Sequence, residues 1–200
     1  MRDRILSAFN KFGCTEKPIG DEIQRSTSNE QSNRPTLVSA AVLVPLIEHP
    51  MMISVLLTQR TETLPKHAGQ IAFPGGRVED TDHSLEDTAL RETEEEIGIA
   101  PLDVAILGRL SQYETGTGYR VTPVVGLLQS PLKFKLEPSE VARIFEVPLD
   151  FVLDTSNHRM ESHKGRPDSQ KFRAMPYREH YIWGLTARIL YELSNLLKRT

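Results

Sequence analysis

Apolar residues fall into short runs separated by polar turns. Leu37 to Leu46, Ile53 to Thr58 and Val104 to Leu110 each read as strands. Arg120 to Leu128 is a fourth, rich in valine but broken by Pro123. Proline has no amide to give a ladder, so an edge strand or a bulge is expected there. Two other stretches repeat at helical spacing. From Ser84 to Ile97 the residues Leu85, Ala89, Leu90, Thr93 and Ile97 share one face, and from Tyr181 to Leu197 the residues Ile182, Leu185, Ile189, Leu193 and Leu196 do. Ile5, Leu6 and Phe9 predict a short N-terminal helix, and Ser26 to Pro35 reads as a polar linker. Residues 1–35 are therefore expected to be a leader, and 36–198 one domain. Glu137-Pro138-Ser139-Glu140 predicts the start of a further short helix ended by Pro148, and residues 155–176 a polar, irregular surface excursion. Strands interleaved with helices favour an α/β fold, a sheet covered on two faces.

Composition narrows the class. Two hundred residues, 38% apolar and 26% charged, support one globular domain with a full core. Cys14 is the one cysteine and cannot form an internal disulfide, which fits a reducing compartment. No long apolar stretch opens the chain, and the longest, Leu37 to Ile47, is too short to span a bilayer. The expected home is the cytoplasm. No basic stripe interleaved with aromatics suggests nucleic acid, and nothing suggests a membrane partner. The oligomeric state is not encoded in any pattern of this kind.

The most informative stretch is Arg91-Glu92-Thr93-Glu94-Glu95-Glu96-Ile97-Gly98-Ile99. On a helix Glu92, Glu95 and Glu96 share one face, where like charges destabilise by roughly 0.2–0.5 kcal/mol per pair. Glu92 and Glu96 edge the apolar face, and carboxylates so placed call for a hard divalent cation. The alternative for a Glu-rich run is a solvated acidic surface. Context argues against that. Phe73-Pro74-Gly75-Gly76 upstream is a rigid turn whose glycines let backbone approach a ligand. Ser84 to Asp87 resembles a capping box, with Asp82 a competing cap. Asp87 and Arg91 suit an i, i+4 pair, and Gly98 suits a left-handed C-terminal cap.

From Gly76 to Ile99 these residues resemble the Nudix box, G-x5-E-x7-R-E-U-x-E-E-x-G-U, with U aliphatic. Asp82 stands where the first Glu belongs, one extra residue precedes Arg91, and Thr93 fills an aliphatic slot. The R-E-x-x-E-E core is intact. The resemblance implies a Nudix α/β/α sandwich with a mixed β-sheet, and hydrolysis of a nucleoside diphosphate derivative by water attacking phosphorus. It implies Mg²⁺ or Mn²⁺ held principally by Glu92 and Glu96. Glu95 is then either a further ligand or the base that activates water, and Arg91 orients the glutamates through salt bridges. With a net charge of −3, the chain attracts a polyanionic substrate only through local cations.

A second motif is similar to the signature L-L-T-x-R-[SA]-x3-R-x3-G-x3-F-P-G-G of coenzyme A pyrophosphatases. It comprises Leu56-Leu57-Thr58-Gln59-Arg60, Gly69 and Phe73-Pro74-Gly75-Gly76. Thr61 replaces Ser or Ala, and Pro65 replaces the second Arg. Coenzyme A presents a 3′-phosphate that needs cationic partners, and Lys66 beside Pro65 is a candidate. The expected partner is therefore a small nucleotide, coenzyme A or a relative. Alternatives are other nucleoside diphosphate derivatives (nucleotide sugars, dinucleotides, damaged triphosphates) and a non-catalytic ligand-sensing module. Arg60 either binds phosphate or pairs with a glutamate. Arg120, in the glycine-hinged turn Tyr113 to Arg120, either contacts substrate or belongs to an ordinary surface turn. Glu140 is either an extra base or a helix-capping residue. His83, His158, His163 and His180 lack metal-ligand spacing, and Trp183 reads as core rather than as a base-stacking platform.

Overall fold

The computed structural model describes residues 1–12, 19–20, 37–64, 67–162 and 171–199. Cys14, the linker Ser26 to Pro35, Pro65, Lys66 and His163 lie outside them. The chain opens with helix α1 (Arg2–Phe12) and the short β1 (Ile19–Gly20), followed by β2 (Val38–Glu48) and β3 (Ile53–Arg60). Two brief strands, β4 (Ile71–Ala72) and β5 (Gly75–Arg77), lead into helix α2 (Leu85–Ile97). Next come β6 (Ala105–Arg109), β7 (Tyr113–Glu114), β8 (Tyr119–Gln129) and β9 (Val141–Pro148), then helix α3 (Leu149–Leu153). The chain ends with β10 (Arg159–Ser162), β11 (Lys171–Tyr177), β12 (His180–Trp183) and helix α4 (Gly184–Lys198).

Strand β2 organises a mixed sheet. Parallel β8 runs beside its whole length, from Val38↔Tyr119 to Glu48↔Gln129. On its other side β2 pairs with β3 only at Leu46 to Glu48, and with β5 at Ala40 to Val42. The two long strands thus diverge, and the Phe73–Gly76 turn enters the gap, where the Leu43 amide donates to the Pro74 carbonyl at 2.9 Å. Strand β9 pairs with the free side of β3.

Strict alternation divides the core in two. Leu43, Ile47, Leu56, Val124 and Leu128 face α2, while Val44, Leu46, Val55, Leu57, Val125 and Leu127 join the cluster containing α1, α3 and α4. The molecule is therefore an α/β/α sandwich. Ile5, Ala8 and Phe9 of α1 are buried in that second cluster, so the helix contributes to the domain core. Among the described residues no helix is long and apolar enough to cross a membrane.

Four expectations are corrected. Arg120 to Leu128 is interior, with β2 on one side and β6 and β7 on the other. Pro123 is tolerated because it falls between the β6 and β7 pairings, where its carbonyl accepts from Leu110 at 2.9 Å. Glu137 to Pro148 forms a turn and then β9, because Val141, Ile144, Phe145 and Val147 find a strand partner in β3. The expected excursion contains β10 and β11, which pair antiparallel and bury Ala174 and Met175. Finally, the last helix begins only at Gly184 (φ 65°), and Ile182 reaches the core from β12.

Candidate active site

Two glycines create the room in which the carboxylates sit. At Gly75 (φ 150°) a Cβ would strike the Ala41 carbonyl and Val42, where β5 lies against β2. At Gly76 it would occupy the place of the Glu92 carboxylate. The backbone amide of Gly75 donates to Glu96.

Helix α2 carries those acids, and its ends are set locally. The Ser84 hydroxyl accepts from the Asp87 amide at 3.0 Å, and Asp87 reaches back to the His83 amide at 3.1 Å. This settles the start of the helix in favour of Ser84 over Asp82. Gly98 (φ 74°) closes the other end, its amide donating to the Glu94 carbonyl. Ala89, Thr93 and Ile97 are buried, and the Thr93 hydroxyl donates to the Ala89 carbonyl at 2.6 Å, which satisfies it in an aliphatic slot.

Glu96 is only 3% exposed. Burial pushes its carboxyl up to about 8, Glu140 and Glu92 add to the rise, and Arg60 opposes it. The Arg60 guanidinium is 3.9 Å from Glu96, and its buried Nε has no hydrogen-bond partner among the described residues. Glu92, half-buried, is raised too, again chiefly by burial. Glu95 is exposed and turns toward Arg91 at 3.2 Å.

Arg91 is the hub. It donates to Asp82 through Nε and Nη2 at 3.0 and 3.1 Å, to Glu92 at 3.0 Å and to the Arg77 carbonyl at 3.1 Å. Arg91, helped by the Glu79 amide and Thr88, holds the Asp82 carboxyl well below the usual carboxylate range against the effect of burial. The expected Asp87–Arg91 pair is replaced by Asp82–Arg91, because Asp87 is used at the helix start. Sequence reasoning missed this anchor, although Asp82 standing at the box's first acidic position was the signal.

Glu140 joins the group from another element. It precedes β9, its carbonyl accepts from the Thr61 amide at 3.0 Å, and its charge raises both Glu92 and Glu96. It caps no helix. Arg120 is the second residue of β8 and is paired with Glu114 at 3.1 Å. Lys66 falls outside the described residues. Among those residues, no three carboxylate, imidazole or thiol groups are drawn together tightly enough to hold an ion as they stand. The donor chemistry nonetheless suits a hard cation. Glu92 and Glu96 are carboxylates whose ionisation burial resists, with Glu140 adding like charge.

A helix with this acidic edge, docked on a mixed sheet behind a Phe-Pro-Gly-Gly turn, defines a class. The NUDIX domain pattern matches residues 37–176, and the chain belongs to the Nudix family of pyrophosphate-splitting hydrolases, which generally use divalent metal ions. It is similar to the proteins called "Uncharacterized Nudix hydrolase NudL". The one from Shigella sonnei (strain Ss046) is 43% identical over 194 residues, 97% of this chain and 93% of the relative. The one from Escherichia coli (strain SMS-3-5 / SECEC) is 43% identical over 166 residues, 82% and 86% of the two chains. A MutT/nudix family protein from Enterococcus faecalis shares the fold, with a TM-score of 0.53 at 18% identity over 86% of this chain and 66% of that one.

Proposed function

We propose that the protein hydrolyses the pyrophosphate of coenzyme A or its acyl thioesters, releasing adenosine 3′,5′-bisphosphate and 4′-phosphopantetheine or its acylated form. The observation that carries this reading is the block from Leu56 to Gly76. Its Arg60 lies 3.9 Å from Glu96, and its last glycine leaves room for Glu92.

Glu92 and Glu96 would hold Mg²⁺ or Mn²⁺, with Glu95 as a further ligand or as the base. Such an ion, when bound, withdraws charge from phosphate oxygens and lowers the pKa of the attacking water. The remaining work belongs to the chain. Arg91, anchored on Asp82, keeps Glu92 and Glu95 in register. Arg60 has donors to spare for a phosphate oxygen, and the glycine turn brings backbone close to it. Glu95 or Glu140 takes the proton as the water oxygen bonds to phosphorus. The bridging oxygen departs with the other phosphate.

Pro65 in place of an arginine favours a second reading, cleavage of a nucleotide sugar or dinucleotide that has no 3′-phosphate. Purified protein with Mg²⁺ or Mn²⁺, assayed against a panel of these substrates with products separated by chromatography, decides between them. If Lys66 serves the 3′-phosphate, dephospho-coenzyme A reacts more slowly by roughly 10- to 150-fold, the worth of one charged hydrogen bond. Lys66→Ala then narrows the gap. Cleavage of a nucleotide sugar or dinucleotide, with neither coenzyme A compound touched, makes the second reading correct.

A further inference from the structure

Gln59 and Arg60 are consecutive at the end of β3, where the pairing with β9 shifts register, and their side chains reach different surroundings. Arg60 faces the carboxylates. Gln59 faces a cleft of about 460 Å³ that the chemistry above does not use, a size within the roughly 300–1,000 Å³ of small-molecule sites. Ile71 on β4, Arg143 on β9 and His180, Tyr181 and Trp183 on β12 also line it. Just beyond Arg60 the Thr61 amide donates to the Glu140 carbonyl at 3.0 Å, and neither Thr61 nor Glu140 lines the cleft.

The cleft is built rather than incidental. Alternation along β12 sends Ile182 into the core and leaves Tyr181 and Trp183 on the outer face, 43% and 36% exposed. Both rings are held in place. Phe172 meets Trp183 edge-on at 5.7 Å, and the Tyr181 hydroxyl donates to Glu161 at 2.6 Å. Trp183 is therefore not a core residue. Arg143 lies opposite Gln59 in the β3–β9 ladder and donates to its side-chain oxygen at 2.6 Å. His180 stacks on Phe145 with ring centres 3.6 Å apart. The His180 ring is 7% exposed, and its Nδ1 has no hydrogen-bond partner among the described residues.

The charges discriminate between ligands. Among the described lining residues Glu62 and Glu179 stand against the guanidinium of Arg143, a balance that favours an uncharged ligand over a phosphate. An uncharged flat heterocycle bearing both an amine and ring-nitrogen acceptors matches carboxylates, guanidinium and aromatic wall together.

We propose that this cleft receives the aminopurine base of the substrate, stacked on Trp183 with its exocyclic amine toward the carboxylates. The inference rests on the reading above for the ligand being a nucleotide. It adds the place where the base is held, across the end of β3 from the reacting phosphorus.

Trp183 is the only tryptophan in the chain, so its emission reports on this cleft alone. The intact protein, without divalent cation, is titrated with adenosine 5′-monophosphate and separately with ribose 5-phosphate. The first quenches emission saturably and the second does not, and Arg143→Ala and Tyr181→Ala each weaken the quenching. In turnover assays Trp183→Ala raises KM about 10-fold or more with kcat little changed, and Trp183→Phe restores most of the loss. Absence of saturable quenching in the unmodified protein overturns the proposal, as does quenching with an unchanged KM in Trp183→Ala. Quenching without hydrolysis of any nucleotide unseats the catalytic reading and leaves the base site standing.

Discussion

Glu92 and Glu96 stand four residues apart on one face of α2, at the edge that meets the core, and Gly75 and Gly76 of β5 leave the space in which they sit. Replacing Glu92 or Glu96 by Gln keeps the shape and removes the charge. Turnover at saturating Mg²⁺ should fall on the order of 10²-fold or more, the scale of one lost electrostatic stabiliser. Without divalent cation Glu96→Gln should melt higher than the parent in a thermal scan, since a buried carboxyl near Glu92 and Glu140 no longer has to be accommodated. Asp82 behaves in the opposite sense. Its folded pKa is depressed, so its contribution to stability is complete above the unfolded value of about 3.9 and is lost as pH falls further toward the folded value. Asp82→Asn should therefore cost about 1.5–3 kcal/mol at pH 7, the range for hydrogen bonds to charged groups. Denaturant midpoints of parent and variant should converge below about pH 4.

Helix α2 was readable end to end because its signals are local. Ser84 caps within its own first turn, and Gly98 alone suits a left-handed φ of 74°. Ser84→Ala should lower stability by about 1 kcal/mol in chemical denaturation while leaving kcat near the parent value. Gly98→Ala should cost at least about 1 kcal/mol, since it meets both the φ penalty and the Lys135 backbone and Cβ packed beside it. Strands were less readable where their partners are distant in sequence. Strand β9 has no strict alternation of its own, and its turn of Glu-Pro-Ser-Glu imitates a helix start. Pairing with β3 decides the matter, and the same pairing carries Glu140 to the carboxylates. Strand β10 is largely exposed and β11 fully buries only the adjacent Ala174 and Met175, with no alternation to mark it, so composition alone reads them as surface loop.

Across the whole molecule, the two faces of the sheet divide the work. One face packs α2 and positions the acids, and the other packs α1, α3 and α4. The Arg4 guanidinium donates to the Leu197 carbonyl at 2.8 Å, and Ile5 is fully buried beneath α4. Ile5→Ala should consequently destabilise the entire domain by about 2–5 kcal/mol in equilibrium unfolding, although Ile5 precedes the region that matches the family pattern. Glu192 of α4 accepts from the Ser111 amide at 2.9 Å and from the hydroxyls of Ser111 and Tyr113, which ties the terminal helix to the β6–β7 connection. By itself the sequence determined the class of the domain, the acidic helix with its caps, and the glycine turn. Each of those signals is written within a few residues, where backbone geometry and spacing leave little choice. Tertiary structure alone decided that Asp82 anchors Arg91, that Glu140 stands among the carboxylates, and that Trp183 faces a cleft. Those outcomes depend on strand pairing and on which residues meet across the sheet, and contacts between positions far apart in the chain leave no periodic trace in it.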